Sequence, residues 1–471
     1  MKKRLLLLCA ASIMALGVTN LASCGKSKTN VEDFLNVGRN DNQEEEKVEL
    51  LFPINGETVD ILKPRVNAYI SAMHEQAKDI EDDQVLHNFY VMAPDTASRH
   101  YGETFTNDTD KVRIEDYANN SIYMQRSKKV MLTFVAKGHT PDKVKVSLKQ
   151  DLSDAIELTN IEYTEEAYFV GVNQLYSGKT YYWQVFENNQ PISEVASFKT
   201  EEGLRMITTN SVANVRDMGG RVVHLKTGEE QGKNIYNTKH IKQGLIFRGG
   251  ELVEETYKPE GSSSSHTATL QTGDAEFLVN GLGIGYEIDF RDTAESNNLT
   301  ESPLKSYFKT HYDQTIDVDY LRLDNMNAYD DFFSITSSKS YYSNIKNMFK
   351  AFADAENKHV YFHCWGGADR TGTAGFLLGA ILGMSLTDLV VDYELTSFSC
   401  NYRPHNTNDA KKVYRFPSLL KRLTEVTYKS SGETVWKDNK PLSQIVEEIL
   451  IDRFEVTAED ISNIRNNLLE D

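Results

Sequence analysis

The chain has 471 residues, 40% hydrophobic and 25% charged, with a net charge of −18 at pH 7. That length exceeds one ordinary core and calls for two folded domains with added segments, and the composition is that of a globular protein, neither disordered nor membrane-embedded. So acidic a surface repels a polyphosphate backbone, which argues against nucleic acid as a partner and demands a local positive pocket for any anionic substrate.

The first residues, "MKKRLLLLCAASIMALGVTNLASCG", combine a basic start (Lys2, Lys3, Arg4), an apolar stretch from Leu5 to Val18 and small residues before Cys24. The apolar stretch is too short to span a bilayer and reads as a targeting signal. "LASC", Leu21 to Cys24, resembles the lipobox of bacterial lipoproteins. That resemblance implies a signal peptide over 1–23, cleavage before Cys24 and a lipid on its sulfur. The expected location is then extracytoplasmic, with the lipid holding the protein on a bacterial cell membrane. The weaker alternative is a plain secretory signal. Losing residues 1–23 removes three positive charges and no negative ones from −18, leaving −21. Residues 24–46 are polar and read as a flexible tether.

From Val48 the texture changes. "VELLFPINGETVDI" alternates and breaks at Pro53 and Gly56, and "KPRVNAYISAMHEQA" reads as a short helix with Pro64 in its first turn. After Arg126 come "KVMLTFVA", "KVKVSLKQ", "EAYFVGV", "KTYYWQVF" and "EVASFKT". These short β-branched and aromatic runs, separated by turn residues, predict an all-β sandwich. "LYSGKTYYWQV" resembles the L-x-P-G-T-x-Y-x-x-x-V stretch of fibronectin type III domains, with Leu175, Gly178, Tyr181 and Val185 in place, but Ser177 for the proline and Lys179 for the threonine. The resemblance implies a fibronectin III or immunoglobulin-like sandwich over 47–202, and a corner role for Tyr181, whose hydroxyl would bond the backbone. The other reading of Tyr181, Trp183 and Val185 is one core face of a strand.

Residues 203–471 alternate strand-like runs ("QGLIFRG", "IGYEIDF", "HVYFHC") with helical ones, which predicts an α/β domain. "KPEGSSSSHTATLQTG", Lys258 to Gly273, reads as an exposed loop. Near the C-terminus Thr457 and Asp460 form a capping box ahead of Ile461, Ile464 and Leu468 on one helix face.

The chemistry concentrates in "HCWGGADRTG", His363 to Gly372. An apolar strand ends at Cys364, a helix begins near Arg370, and Gly366 and Gly367 permit the sharp turn between them. Backbone N–H groups of such a turn, together with a helix N-terminus, make an anion site. Beside it a thiolate is favoured over a thiol, and a guanidinium can grip two phosphate oxygens. A phosphate would bind along Trp365, Gly366, Gly367, Ala368, Asp369, Arg370 and Thr371. Cys364 would attack phosphorus while Arg370 holds the developing charge. Neither a metal nor another cofactor is called for.

This C-x5-R arrangement resembles the phosphate loop of the protein tyrosine phosphatase superfamily. The longer stretch is similar to the HCxxGKDRTG loop of bacterial phosphatases that act on phosphotyrosine and, in some members, on phosphoinositides. "NVRDMGG" (Asn214 to Gly220), "IFRGGEL" (Ile246 to Leu252), "IDFRDTAE" (Ile288 to Glu295) and "DYELT" (Asp392 to Thr396) match further motifs of that family in order, over about residues 205–471. Ala368 stands where the family has lysine, which removes a second cation and weakens the case for a multiply phosphorylated lipid. The leading expectation is hydrolysis of phosphotyrosine through a phosphocysteine. Alternatives are a phosphoinositide or small phosphate ester, a non-catalytic phospho-ligand binder on a cell surface, and a sulfur-transfer enzyme, whose loop is typically one residue shorter.

The general acid is the open assignment. Asp369 is pointed to by the resemblance, with a loop brace as its equal alternative. Asp289 comes second, and Asp324 and Asp330 lie at the distance of a mobile acid loop. Thr371 would hydrogen-bond the thiolate as it leaves in the second step, or cap the helix. His363 would brace the loop backbone. Trp365 would stack on an aromatic or sugar ring, or pack against the domain. Arg216 and Asp217 are expected to form a buried pair, with Arg291 in a similar role. Cys400 is expected in the core, with a regulatory disulfide to Cys364 as the alternative. The sandwich would serve as a spacer or bind a protein or glycan partner.

Overall fold

A computed structural model describes residues 47–78, 112, 114–118, 126–164, 166–230, 233–253, 269–334, 338–399, 415–437 and 440–471. The proposed signal, Cys24 and the tether lie outside these residues, as do Cys400 and most of the serine-rich loop. Lys47 to Asp471 form one compact unit.

Alternating patterns build the N-terminal half. β1 (Lys47–Phe52), β3 (Val130–Lys137), β7 (Tyr168–Val172) and β6 (Glu162–Tyr163) form one antiparallel sheet in the order β1-β3-β7-β6. β2 (Glu57–Val59), β10 (Ala196–Thr200), β8 (Thr180–Glu187), β4 (Lys143–Ser147) and β5 (Ile156–Leu158) form the second, with β9 (Gln190–Pro191) at the side of β8. Val130, Leu132 and Phe134 of the first sheet and Val146, Trp183, Val185 and Phe198 of the second share one buried core. Period two puts these residues on the inner face of each strand. The two sheets therefore pack as a sandwich. The Tyr176 amide donates to the Tyr181 hydroxyl at 2.7 Å, so that hydroxyl does bond the backbone.

Helix α1 (Pro64–Ala77) departs from the expected boundary at residue 202. Its buried stripe Val66, Tyr69, Met73 and Ala77 lies in the α/β core, not the sandwich core. Tyr69 packs on Phe398, ring centroids 5.8 Å apart, and His74 pairs with Asp388 at 3.1 Å. An apolar stripe at helical spacing must find a partner surface, and chain position does not dictate which. The Gln174 side chain also exchanges hydrogen bonds with the Thr208 backbone, and Arg205 bonds the Leu175 and Gln174 carbonyls. The sandwich is thus joined to the second domain by more than a linker.

The second domain holds a five-stranded sheet of order β11-β14-β17-β15-β16: β11 (Arg216–Asp217), β14 (Ile246–Gly249), β17 (His359–His363), β15 (Ile284–Asp289) and β16 (Asp319–Arg322). All neighbours are parallel except β11, which is antiparallel to β14. A hairpin of β12 (Val222–Glu230) and β13 (Lys233–Ile241) pairs with β18 (Leu469–Glu470) beside it. Helices α2 (Thr272–Glu276), α3 (Pro303–Tyr312), α4 (Lys339–Ala353), α5 (Asp369–Ile381), α6 (Leu386–Glu394), α7 (Arg415–Glu425), α8 (Leu442–Phe454) and α9 (Ala458–Leu468) complete it. β17 is central, and α5 is buried from Thr371 to Ile381, as a continuous apolar run requires. The Thr457–Asp460 capping box forms, and Ile461, Ile464 and Leu468 are buried. The end of the expected serine-rich loop is ordered instead: Leu270 is buried and Thr272 opens α2. Among the described residues no helix is long and apolar enough to cross a membrane.

Candidate active site

Parallel strands leave their carboxyl ends open, and ligands settle there. Cys364 follows the last residue of β17 and is 3% exposed. The turn to α5 needs Gly367 at φ +66°, where an added Cβ would lie 2.3 Å from the Gly249 carbonyl oxygen. Among the described residues the amides of Gly366, Gly367, Ala368 and Arg370 donate to no protein acceptor. They remain available to an anion, as first-turn amides do.

The loop is fixed from behind by residues of the distant motifs. Asn214 sits at φ +61°, a conformation asparagine tolerates better than most residues. Its side-chain amide donates to the Gly367 carbonyl at 3.0 Å and to Thr396 Oγ1 at 3.0 Å. Arg248, fully buried, donates to the Gly367 carbonyl at 2.9 Å and to Asp392. Asp392 also accepts from Arg216 Nε at 2.9 Å and from Arg221 at 2.9 Å. Burial alone would push the Asp392 carboxyl up, but the three guanidinium groups overcome it and hold it far below the usual carboxylate range. The expected Arg216–Asp217 pair does not form. Adjacent strand residues point to opposite faces, so Arg216 meets Asp392 while Asp217 accepts from Arg205 at 3.0 Å.

His363 is fully buried. Its Nδ1 lies 3.2 Å from the Cys364 carbonyl oxygen and its Nε2 2.9 Å from Glu287. Burial opposes charge on the ring, but Asp289 and Glu287 outweigh it and raise His363 above its ordinary value. It braces the loop, as expected. Glu287, Asp289 and His363 could together face a cation. Arg291 already occupies Asp289 through Nε at 2.9 Å and Nη2 at 2.6 Å, and reaches Glu251 at 3.1 Å. A cationic guanidinium inside the cluster disfavours a metal there.

At the mouth, Arg370 donates to the Phe290 carbonyl at 2.8 Å and forks onto Glu295 at 2.6 and 3.1 Å. Burial opposes its charge, but Glu295 outweighs this and keeps Arg370 firmly protonated. Asp369 Oδ1 accepts from the Tyr329 hydroxyl at 2.5 Å. The Thr371 hydroxyl is buried with no partner among the described residues and supplies no cap to α5. Trp365 is half-buried, and its carbonyl accepts from the Glu251 amide at 2.9 Å. Ala368 is buried, so its position offers the mouth no cation.

The rival acids are occupied. Asp289 belongs to Arg291. Burial would raise its carboxyl, but His363 and Arg291 hold it below its ordinary value. Asp324 accepts from Arg322 at 3.0 Å and Thr293 at 3.2 Å, and Asp330 from Ser418 at 2.8 Å. Of the loop, Asp369 alone carries a carboxyl. Residues that sequence reasoning did not single out are Asn214, Arg248, Asp392 and Thr396 as loop supports, Glu295 as partner of Arg370, and Tyr329. All but Tyr329 lie within the quoted motifs.

A family model described as "Tyrosine phosphatase family" matches residues 207–470, more than half of the chain. The chain belongs to the tyrosine phosphatase family. This makes the second domain a phosphatase domain, and Cys364 to Arg370 lie within the matched residues. A solved structure, the core catalytic domain of the PP-IP phosphatase SIW14 from S. cerevisiae in complex with citrate, is similar at 12% identity. It covers 38% of this chain and 79% of that chain with a TM-score of 0.22, which bears on neither fold nor substrate. No curated protein matches.

Proposed function

We propose that the protein is a cysteine-dependent phosphomonoester hydrolase that prefers phosphotyrosine. The observation that carries this reading is Cys364 at the end of the central strand, in a loop held from behind by Asn214 and Arg248, with Arg370 at its mouth. The phosphoryl group binds the loop amides and Arg370. The Cys364 thiolate attacks phosphorus in line: the S–P bond forms and the ester P–O bond breaks. Asp369 gives its proton to the leaving oxygen, then takes one from the water that cleaves the phosphocysteine and releases inorganic phosphate. The family and the HCxxGKDRTG resemblance support phosphotyrosine, and Ala368 favours a single phosphate over a multiply phosphorylated lipid.

The chain is further read as a lipoprotein anchored through Cys24 outside the cytoplasm of a bacterium. Its fibronectin III-like sandwich, within residues 47–202 but without helix α1, presents the phosphatase domain over 203–471 and takes a protein or glycan partner. The test is hydrolysis of para-nitrophenyl phosphate by residues 25 to 471 with a chelator present, beside Cys364→Ser. Activity that survives the chelator and vanishes in the variant supports the reading, and inactive, freshly reduced protein contradicts it. Phosphotyrosine peptides against phosphoinositides then decide the substrate class.

A further inference from the structure

The segment Asp324 to Phe333 holds Asp324 and Asp330, the lesser candidates for a mobile acid behind Asp369 and Asp289. It brings a tyrosine to the loop. Tyr329 is 6% exposed and adopts φ +57°, a left-handed conformation that a bulky aromatic residue rarely takes. Contacts with α5 and α6 hold it there. Its amide donates to Thr373 Oγ1 at 2.9 Å, and Thr373 Oγ1 donates to the Asp369 carbonyl at 3.1 Å. Its ring meets Tyr393 edge-on, with centroids 6.1 Å apart. Its hydroxyl reaches Asp369 Oδ1 at 2.5 Å. The turn itself is pinned by Phe332, whose ring lies 4.8 Å from that of Phe454. Strain kept in place by its surroundings is common where a side chain must be aimed.

Resting on the reading above, we infer that Tyr329 is a positioning residue: its hydroxyl orients the Asp369 carboxyl and stabilises the carboxylate left after proton donation. In the first step Asp369 passes its proton to the ester oxygen as the P–O bond breaks. The negative charge that remains on the carboxylate is met by the Tyr329 O–H, a hydrogen bond stronger to the charged form than to the neutral one. In the second step the carboxylate takes a proton from water, and Tyr329 again holds it in line.

The test exploits the leaving group. Para-nitrophenolate is a weak base and departs without a proton, whereas the phenolate of tyrosine, with a pKa of about 10, needs one. In the full chain, Tyr329→Phe should lower kcat/KM for phosphotyrosine by about tenfold or more while lowering kcat/KM for para-nitrophenyl phosphate by less than about threefold, because kcat/KM reports the P–O cleavage step and not the later hydrolysis common to both esters. The same asymmetry is expected of Asp369→Asn, and adding Tyr329→Phe to that variant should cost nothing further. An equal loss on both esters, no loss on either, or full additivity in the double variant overturns the assignment and leaves Tyr329 a packing residue. Wild-type protein that cleaves neither ester defeats the parent reading, and the assignment falls with it.

Discussion

The two sides of the phosphate loop are built differently. Behind it, Asp392 ties Arg216, Arg221 and Arg248 together with every side chain nearly or fully buried. At its mouth, Arg370 and Glu295 form a single ion pair whose side chains are 18% and 29% exposed. Charges sealed from water cannot exchange partners without leaving a buried charge uncompensated, so the rear fixes the loop carbonyl of Gly367 permanently. The pair at the mouth is partly exposed, and on the proposed function a bound phosphate takes the place of Glu295 on Arg370. Rigidity and exchangeability are thus separated across one short turn, which suits a site that must be preorganised yet release inorganic phosphate.

The largest effect should come from breaking the rear. Asp392→Asn leaves three buried guanidinium groups without their carboxylate and should cost about 3–5 kcal/mol of stability, read as a lower urea midpoint. A loss no greater than that of an ordinary surface change would mean that the arginines find other partners.

An intermediate effect is expected at the mouth. A partly exposed pair contributes about 1 kcal/mol, or roughly fivefold in binding. Glu295→Gln should therefore tighten inhibition by inorganic phosphate by up to about fivefold, because no carboxylate competes for Arg370. Weaker inhibition would show that Glu295 aims Arg370 instead of competing for it.

The smallest effect lies furthest from the loop. The hydrogen bond with Asp388 raises His74 above its ordinary value, against the pull of burial. A raised histidine stabilises the fold fully below its unfolded pKa of about 6.5, and that contribution is lost as pH rises through the folded value. With His74 nearly half exposed, His74→Gln should cost a few tenths of a kcal/mol at pH 5.5 and nothing at pH 9, measured as the difference in Tm. A loss independent of pH would assign His74 to packing alone.

Much of this arrangement was legible in the sequence because strands and helices carry their own periods. Cys364 and Arg370 follow from a strand, a glycine turn and an apolar helix, and Tyr181 and the Thr457 cap from local motifs. What failed was pairing between elements. Arg216 and Asp217 are neighbours in the chain, yet the pleat sends them to different partners. Asp289 looks like a free acid until Arg291, two residues on, folds back over it. Helix α1 shows its apolar stripe plainly, but no local pattern says which core receives it. Tyr329 carries no motif at all. Its left-handed backbone is imposed by the surrounding phenylalanines and by Thr373, which only the folded chain brings together.

The account turns on covalent chemistry at Cys364, and trapping the intermediate tests it most directly. Protein mixed with para-nitrophenyl phosphate, quenched rapidly in acid and digested, should yield one phosphoryl group on the peptide that carries Cys364, and none in Cys364→Ser. Active protein with no adduct on Cys364, or with the phosphoryl group on another residue, would contradict it.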